Sequence, residues 1–453
     1  MRAAFSLVFI TFILIRESII FSAIFSLYYR RRNIDRYNRK LKKLGKALCS
    51  GLPQIGPAFV KLGQFMSTRQ DLISPVLCDE LKNLQDKAPT IPFSKIERII
   101  TRELGEQYNK IEIDPHPVAA ASIAQVHKGT VELNGEKVKV AIKVLRPHVS
   151  KHFMRNIEMM MSIASFINKF ISPAKRLRLE EVVSIIEKTA TAELNLQTEA
   201  AAADKLRYNC RNQEGIYIPK IFWDFTTKSI LVTEWVDGDR IEETRDEIKH
   251  DIARRLASTF FHQAYADGFF HADIHPGNIL IDKMDRVVLL DFGMFSYLPE
   301  KDRLFLAEII YAFVKKDYER ASELHFKAGY VKTNDDEYQR NMFALACRSI
   351  SEPIFGKSTA EISISKLLRR LFEVTSEFNM HTQPQLILLQ KNMMSLEGAL
   401  HSLDPQINMW KLVEPWFTEW AKNNLSLKAK ISRKIDDFVA LAEMFEKRII
   451  KDN

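Results

Sequence analysis

Cysteine is scarce in this sequence, and the four present, Cys49, Cys78, Cys210 and Cys347, are scattered. They make no C-x-x-C pair and no Cys/His cluster, which argues against a zinc site or a disulfide framework and leaves reduced thiols in a cytosolic setting as the default. Glycine is also sparse, 15 in 453 residues, and none falls between Pro117 and Gln125. No aromatic-interleaved basic repeat or nucleic-acid module occurs, so the net charge of +9 does not point to nucleic acid. There is no internal repeat and no long low-complexity linker, and no clear small-x-small cleavage site follows the N-terminal apolar run.

What is present is the composition of an ordinary globular protein, 46% apolar and 27% charged, at a length that suggests more than one packed unit. Much of the positive charge lies between Arg30 and Lys46, where Arg30, Arg31, Arg32, Arg36, Arg39, Lys40, Lys42, Lys43 and Lys46 face only Asp35. Such a run is either a solvated helix face or, following an apolar stretch, a contact for anionic lipid headgroups, and no nucleic acid is expected. The apolar stretch itself, Ala3 to Ile15 and Ser18 to Tyr29, is interrupted by Arg16 and Glu17. Neither half has the ~20 residues a spanning helix needs, and the two together would carry a charged pair near mid-membrane. Residues 1–32 therefore read as a membrane-associated helix, interfacial or tilted and spanning, with a helix packed on the protein itself as the alternative.

Residues 33–95 read as helical, with breaks at Gly51-Leu-Pro53, Gly56-Pro57 and Ser74-Pro75. An amphipathic helix over 96–110 ends near Gly105. From Val118 the pattern turns sheet-like, and Gln125–Leu133 and Lys137–Leu145 flank Asn134-Gly135, a strong hairpin signal. Residues 150–210 are helical, Ile230–Val236 is a strand, and 245–267 is a helix. Ile279–Ile281 and Val287–Leu290 are short strands around Asp282–Asp285, and 301–450 is almost wholly helical.

Four places carry chemistry. The first is His271-Ala-Asp273-Ile-His275-Pro-Gly-Asn278 followed by Asp291-Phe-Gly293. Phosphoryl transfer needs one carboxylate to orient the nucleophile, and an acid and an amide oxygen to hold Mg²⁺. Asp273, Asn278 and Asp291 have the spacing that protein kinases use for these tasks. His271 and His275 read as residues that fix the loop by hydrogen bonding. The second place is Val140-Ala-Ile-Lys143, where the lysine would pair with ATP phosphates. The third is Glu199, a charge among small and apolar residues that a partner at Lys143 would satisfy. The fourth is the glycine-free loop Ala119, Ala120, Ala121, Ser122, Ile123, Ala124, Gln125 and Val126, expected to be stiffer than a glycine loop where it covers the phosphates. The alternative reading of that loop is a helix start. Glu234 and Val236, by their place after the strand, would lie beside adenine.

Together with Lys61-Leu-Gly-Gln64 and Glu193-Leu-Asn-Leu-Gln-Thr-Glu199, these motifs resemble the UbiB family of atypical kinase-like ATPases, from about residue 40 to about 420. Glu352-Pro-Ile-Phe355 and Gln383–Gln390 resemble its bacterial ubiquinone-biosynthesis branch. The resemblance implies an α+β, bilobal protein-kinase-like fold. On this plan 1–32 is the hydrophobic helix, 33–95 a helical extension carrying K-x-G-Q, 96–236 an N-lobe with a small antiparallel sheet, 237–404 a mostly helical C-lobe and 405–453 an amphipathic tail. It also implies ATP and Mg²⁺ as cofactors, with Lys61, Gln64 and Glu193 as site residues beside Lys143, Glu199 and Asp273. ATP hydrolysis supporting ubiquinone biosynthesis would be the activity. Membrane lipids, ubiquinone precursors, other enzymes of that route or a second copy would be the partners. The location would be the cytoplasmic face of the bacterial inner membrane or, alternatively, the mitochondrial inner membrane. Two departures stand out. Asn195 replaces an acid of the family's E-x-D pattern, and Trp410 to Asn453 reads as a charged amphipathic tail with Trp416 and Trp420 where many members carry a hydrophobic hairpin. A small-molecule kinase of the aminoglycoside or choline type, or a non-catalytic lipid-binding scaffold, is the alternative function.

Overall fold

The computed structural model describes residues 34–67, 73–81, 83–84, 89–170, 179–331, 336–355, 378 and 384–425. The expected membrane-associated helix at 1–32 and the end of the tail lie outside the described residues. Among the described residues no helix is long and apolar enough to cross a membrane. The chain forms two compact units. The first takes residues up to Asp204 with Pro219–Trp235 and Asp291–Met294, and the second takes Lys205–Ile218, Val236–Leu290 and the chain from Phe295.

In the first unit the extension is helical because its apolar residues recur at helical spacing. Over Ile34–Ile55, Leu41, Leu48 and Leu52 are buried while Arg39, Lys40, Lys42, Lys43 and Lys46 are exposed. The expected break at Gly51-Leu-Pro53 is absent. Leu52 stays in the core, and that burial outweighs the one N–H that Pro53 cannot donate. The other two breaks occur where expected. Gly56 (φ 150°) ends the helix and Pro57 opens the next, Pro57–Ser67. Pro75 opens Pro75–Leu81, whose Leu77 N–H donates to the Ser74 hydroxyl at 3.2 Å. These helices share one apolar core with Val149–Phe170 and Leu179–Glu193, centred on Phe59, Leu77 and Phe153. Gly63 is the close-approach point, since a Cβ there would lie 2.8 Å from Leu52 Cδ1. The glycine of K-x-G-Q is thus explained by packing.

The sheet of this unit runs in the order β1 (Ile111–Ala120), β2 (Ala124–Leu133), β3 (Glu136–Leu145) and then Ile230–Glu234, all antiparallel. Asn134 and Gly135 make the β2–β3 turn with φ of 53° and 84°, as the dipeptide predicts. The sheet starts at Ile111, earlier than the change at Val118 suggests, because Asp114-Pro115-His116-Pro117 hides β1. The strand tolerates its prolines at the sheet edge, where its register is irregular between Ile113 and Ala119. Ile96 and Ile100 of Phe93–Leu104 pack under Val140, Ile142 and Val232.

The second unit packs around Asp246–Phe261, whose Phe261 stacks on Tyr265 and meets Phe417 edge-on, with centroids at 5.8 and 5.1 Å. A small sheet runs in the order Ile216–Tyr217, Val287–Leu289, Ile279–Asp282, Gly238–Arg240. Its central hairpin turns where expected, with Asp285 at φ 55° and Asp282 Oδ1 accepting from the N–H groups of Met284 and Arg286, each at 2.9 Å. Phe269–His271 pairs with Phe295–Tyr297 in a two-stranded ribbon. These pairings are too short for period-2 patterning to reveal. The described chain from Glu300 is helical, in segments that include Pro384–Leu403 and Met409–Leu425.

Candidate active site

In the first unit, β3 carries Lys143 to Glu199 and Asp291. Its Nζ donates to Glu199 Oε1 at 2.7 Å and Oε2 at 3.0 Å, and to Asp291 Oδ1 at 3.0 Å. Glu199 arrives on the first turn of Leu196–Asn209, where the helix dipole favours an acid. Asn195 opens that helix, its Oδ1 accepting from Gln197 N–H at 3.2 Å and its carbonyl from Glu199 N–H at 3.3 Å. The position that departs from the family pattern is therefore the cap that places Glu199.

Lys61 pairs with Glu193 at 2.8 Å, both largely shielded. Gln64 follows on the same helix and is half-buried. A Cβ on Gly293 would lie 3.4 Å from Glu199 Oε2 and 3.7 Å from Glu193 Cγ, so the two ion pairs are neighbours. Lys61 and Lys143 thus lie among three carboxylates, Glu193, Glu199 and Asp291. Burial, opposed by Lys143 but aided by Asp291 and Glu193, pushes the Glu199 carboxyl up to about 7. Burial pulls Lys143 down, and the charges of Asp291 and Glu199 more than reverse it, so its pKa is raised. Asp291 holds a left-handed backbone, φ 55°, uncommon for a residue with a side chain and typical of sites where strain serves function.

The alanine-rich stretch is strand, turn and strand, so the helix-start alternative does not occur. Ala119 and Ala120 end β1, and the turn closes with Ala121 N–H donating to Ala124 O at 2.8 Å. Arg146 staples it, donating from Nε to Ala121 O at 2.7 Å and from Nη2 to Pro89 O at 2.8 Å. Ile123, Ala124 and Gln125 are buried, whereas Ala119 is exposed and Ala120, Ala121, Ser122 and Val126 are partly so. Gln125 cannot present its side chain to a ligand, because Oε1 accepts from Ile91 N–H at 2.8 Å and Nε2 donates to Ile91 O at 3.2 Å. Glu234 is tied to Lys220 twice, its N–H donating to Lys220 O at 2.8 Å and its Oε2 accepting from Lys220 N–H at 3.3 Å. Val236 follows in the second unit, half-buried.

In the second unit, the HADIHPGN segment is a loop held by its own histidines, as expected of them. His271 Nδ1 accepts from Asp273 N–H at 3.0 Å, so its Nε2 carries the proton given to Leu290 O at 3.1 Å. His275 Nδ1 accepts from Gly277 N–H at 3.0 Å. Asn278 donates from Nδ2 to Asp273 O at 3.2 Å, which makes the amide oxygen the end suited to a cation. The Asp273 carboxylate meets Lys391 Nζ at 3.0 Å and His275 Nε2 at 3.6 Å. Burial pushes its pKa up, but Lys391 and His275 outweigh it, and the carboxyl lies below its usual range.

Arg146, Lys391 and Asn392 are absent from the sequence reading. Asn392 is fully buried, its Oδ1 accepting from Ile274 N–H at 2.8 Å and its Nδ2 donating to His271 O. The only sequence signal was a Gln-Lys-Asn set inside the apolar run Leu386–Leu396. Asn392→Ala is expected to destabilise the protein by about 1–3 kcal/mol, because it orphans a buried N–H and a buried carbonyl. A urea melt measures this, and an unchanged midpoint would refute the splinting role.

Two family models match the chain, an ABC1 atypical kinase-like domain over residues 83–325 and a UbiB helical domain over 347–408. The chain is 38% identical to the "Probable protein kinase UbiB" of Marinobacter nauticus over 392 residues, 84% of this chain and 71% of that one. It is 36% identical to the protein of the same name from Erwinia tasmaniensis over 405 residues, 86% of this chain and 73% of the relative. For a Vibrio cholerae relative the identity is 37% over 401 residues, covering 86% and 72%. Among solved structures, the Mycobacterium tuberculosis Rv3197–erythromycin complex aligns with a TM-score of 0.54 at 20% identity, over 84% of this chain and 98% of that one. The fold is accordingly α+β and kinase-like.

Proposed function

Because this chain belongs to the UbiB family of ABC1 atypical kinase-like proteins, we propose that it is a Mg²⁺-dependent, ATP-using enzyme supporting ubiquinone biosynthesis at the cytoplasmic face of a bacterial inner membrane. One observation carries the reading. A largely shielded lysine is shared between a buried helical glutamate and the half-exposed aspartate of an Asp-Phe-Gly segment. A structural ion pair needs only one carboxylate. A second, half-exposed one suits a divalent cation that brings phosphates with it.

In this reading Lys143 orients the phosphates, steadied by Glu199. Asp291 and the amide oxygen of Asn278 are the protein ligands of Mg²⁺. The ion supplies charge neutralisation on the phosphate oxygens. Asp273 orients the attacking hydroxyl or water. Since its pKa is held low, it acts by aiming and accepting a hydrogen bond more than by storing a proton. Ala119–Ser122 and Val126 cover the phosphates with a stapled turn, and Glu234 and Val236 lie beside adenine. Lys61 and Gln64, from the extension, stand where a peptide substrate would otherwise lie, which favours water or a small acceptor.

The basic outer face from Arg39 to Lys46 supports a seat on anionic lipid. Ubiquinone precursors, other enzymes of the same route and a second copy of the chain are the proposed partners. The test is ATP turnover by the purified chain, with and without anionic liposomes and a phenolic quinone-precursor mimic. Stimulation by both supports a lipid-coupled ATPase. Label transferred to a protein or small molecule would replace it with a true kinase, and no turnover under any condition would sink the reading.

A further inference from the structure

The Asp273 carboxylate is gripped from two sides. Lys391 Nζ meets Oδ1 at 3.0 Å, and His275 Nε2 lies 3.6 Å from Oδ2. His275 belongs to the same loop, whereas Lys391 comes from Pro384–Leu403, inside the segment that matches the UbiB helical domain. The next residue on that helix, Asn392, bonds the backbone on both sides of Asp273, at His271 O and Ile274 N. One helix thus fixes the loop by its main chain and the carboxylate by its charge, through adjacent residues. Lys391 and Asp273 each retain 28% side-chain exposure, so the pair is accessible and not sealed in a core. A lysine serving only packing would lay its stem on the apolar surface and send its ammonium to water. Here the ammonium ends on the carboxylate that the HADIHPGN motif places for nucleophile orientation.

We propose that Lys391 is a positioning residue of phosphoryl transfer, aiming the Asp273 carboxylate at the attacking hydroxyl or water, so that the acceptor-orienting group is built jointly by the kinase-like and helical domains. The proposal rests on the ATP-using reading above. It assigns the helical domain a direct part in the chemistry beyond supporting the fold. It also accounts for a lysine and an asparagine side by side within the run Leu386–Leu396. Of the titratable side chains described around the carboxylate, His275 and His271 also shape the loop backbone, whereas Lys391 comes from a separate helix.

The experiment is steady-state ATP turnover by the purified full chain. Lys391→Ala is expected to lower kcat by about 10- to 100-fold and to leave the KM for MgATP within about twofold, the signature of lost orientation. Added ethylammonium, filling the vacated space with the missing charge, should restore part of the kcat. Lys391→Arg should retain more activity than the alanine variant. Should Lys391→Ala not fold, Lys391→Gln is read by the same criteria. A kcat within about twofold of wild type would overturn the proposal. So would a loss matched by a fall in melting temperature and untouched by ethylammonium. A wild-type chain with no turnover would overturn the ATP-using reading and this proposal with it, and the wild-type rate alone tells the two failures apart.

Discussion

Asp291→Asn is expected to abolish Mg²⁺-dependent ATP turnover, by about 10²- to 10³-fold or more, while leaving the protein at least as stable as wild type. The first half follows from charge. Asparagine keeps the size and one acceptor oxygen, but removes the half-exposed anionic ligand that a hard divalent cation needs. The second half follows from the crowding around Lys143. Asp291 is one of the charges that push Glu199 up, so its removal leaves Lys143 to Glu199 alone and relieves repulsion. The left-handed backbone at this position adds no penalty, since asparagine accepts that conformation as readily as aspartate. Activity and stability should therefore part company, which is the pattern of a site that sacrifices stability for function. Thermal melts alongside Mg²⁺-dependent turnover measure both halves, and wild-type-like turnover in this variant would remove Asp291 from the mechanism.

Lys143→Met carries the largest expected stability effect. Methionine fits the space but leaves Glu199, 2% exposed, without its cation. Removing one partner of a buried pair costs about 3–5 kcal/mol. Nearly all of that belongs to Glu199, because Asp291 is half exposed and solvent screens it. The loss should depend on pH in a definite direction. In wild type the Glu199 pKa is raised to about 7, so its stabilising contribution is complete below the ordinary carboxylate value and is lost as pH rises through 7. Without Lys143, which pulls that pKa down, the proton is held more tightly still. The deficit relative to wild type should be constant below about pH 7, where both proteins hold the proton, and should widen above it, as denaturant melts at pH 5 and pH 8 would show. A deficit equal at both would mean that Glu199 is not the group left stranded.

Most of the candidate site's local geometry was legible in the sequence. HADIHPGN and DFG fix their own spacing, Asn134-Gly135 names its turn, and Glu199 is a charge in a setting of small residues that demands a partner. The Lys143 pair followed from that demand and is present at 2.7 Å. What escaped was long-range or hidden. Lys391 reaches Asp273 across 118 residues, and nothing in the sequence of Pro384–Leu403 says which of its polar side chains turns inward. Arg146 acts on backbone carbonyls, which no pattern of side chains marks. β1 was concealed by Pro115 and Pro117, which an edge strand tolerates and a central one does not. The helix through Pro53 was hidden for the opposite reason, since a strong local breaker was overridden by the burial of Leu52.

The double hold on the segment at Pro89 and Ile91 has a mechanical consequence. Arg146 ties Pro89 to the alanine turn, and Gln125 grips Ile91 by both its N–H and its carbonyl. Pro89 and Ile91 are therefore fastened to the turn and to β2. A displacement of Pro89 and Ile91 would therefore be delivered to the turn proposed to cover the phosphates.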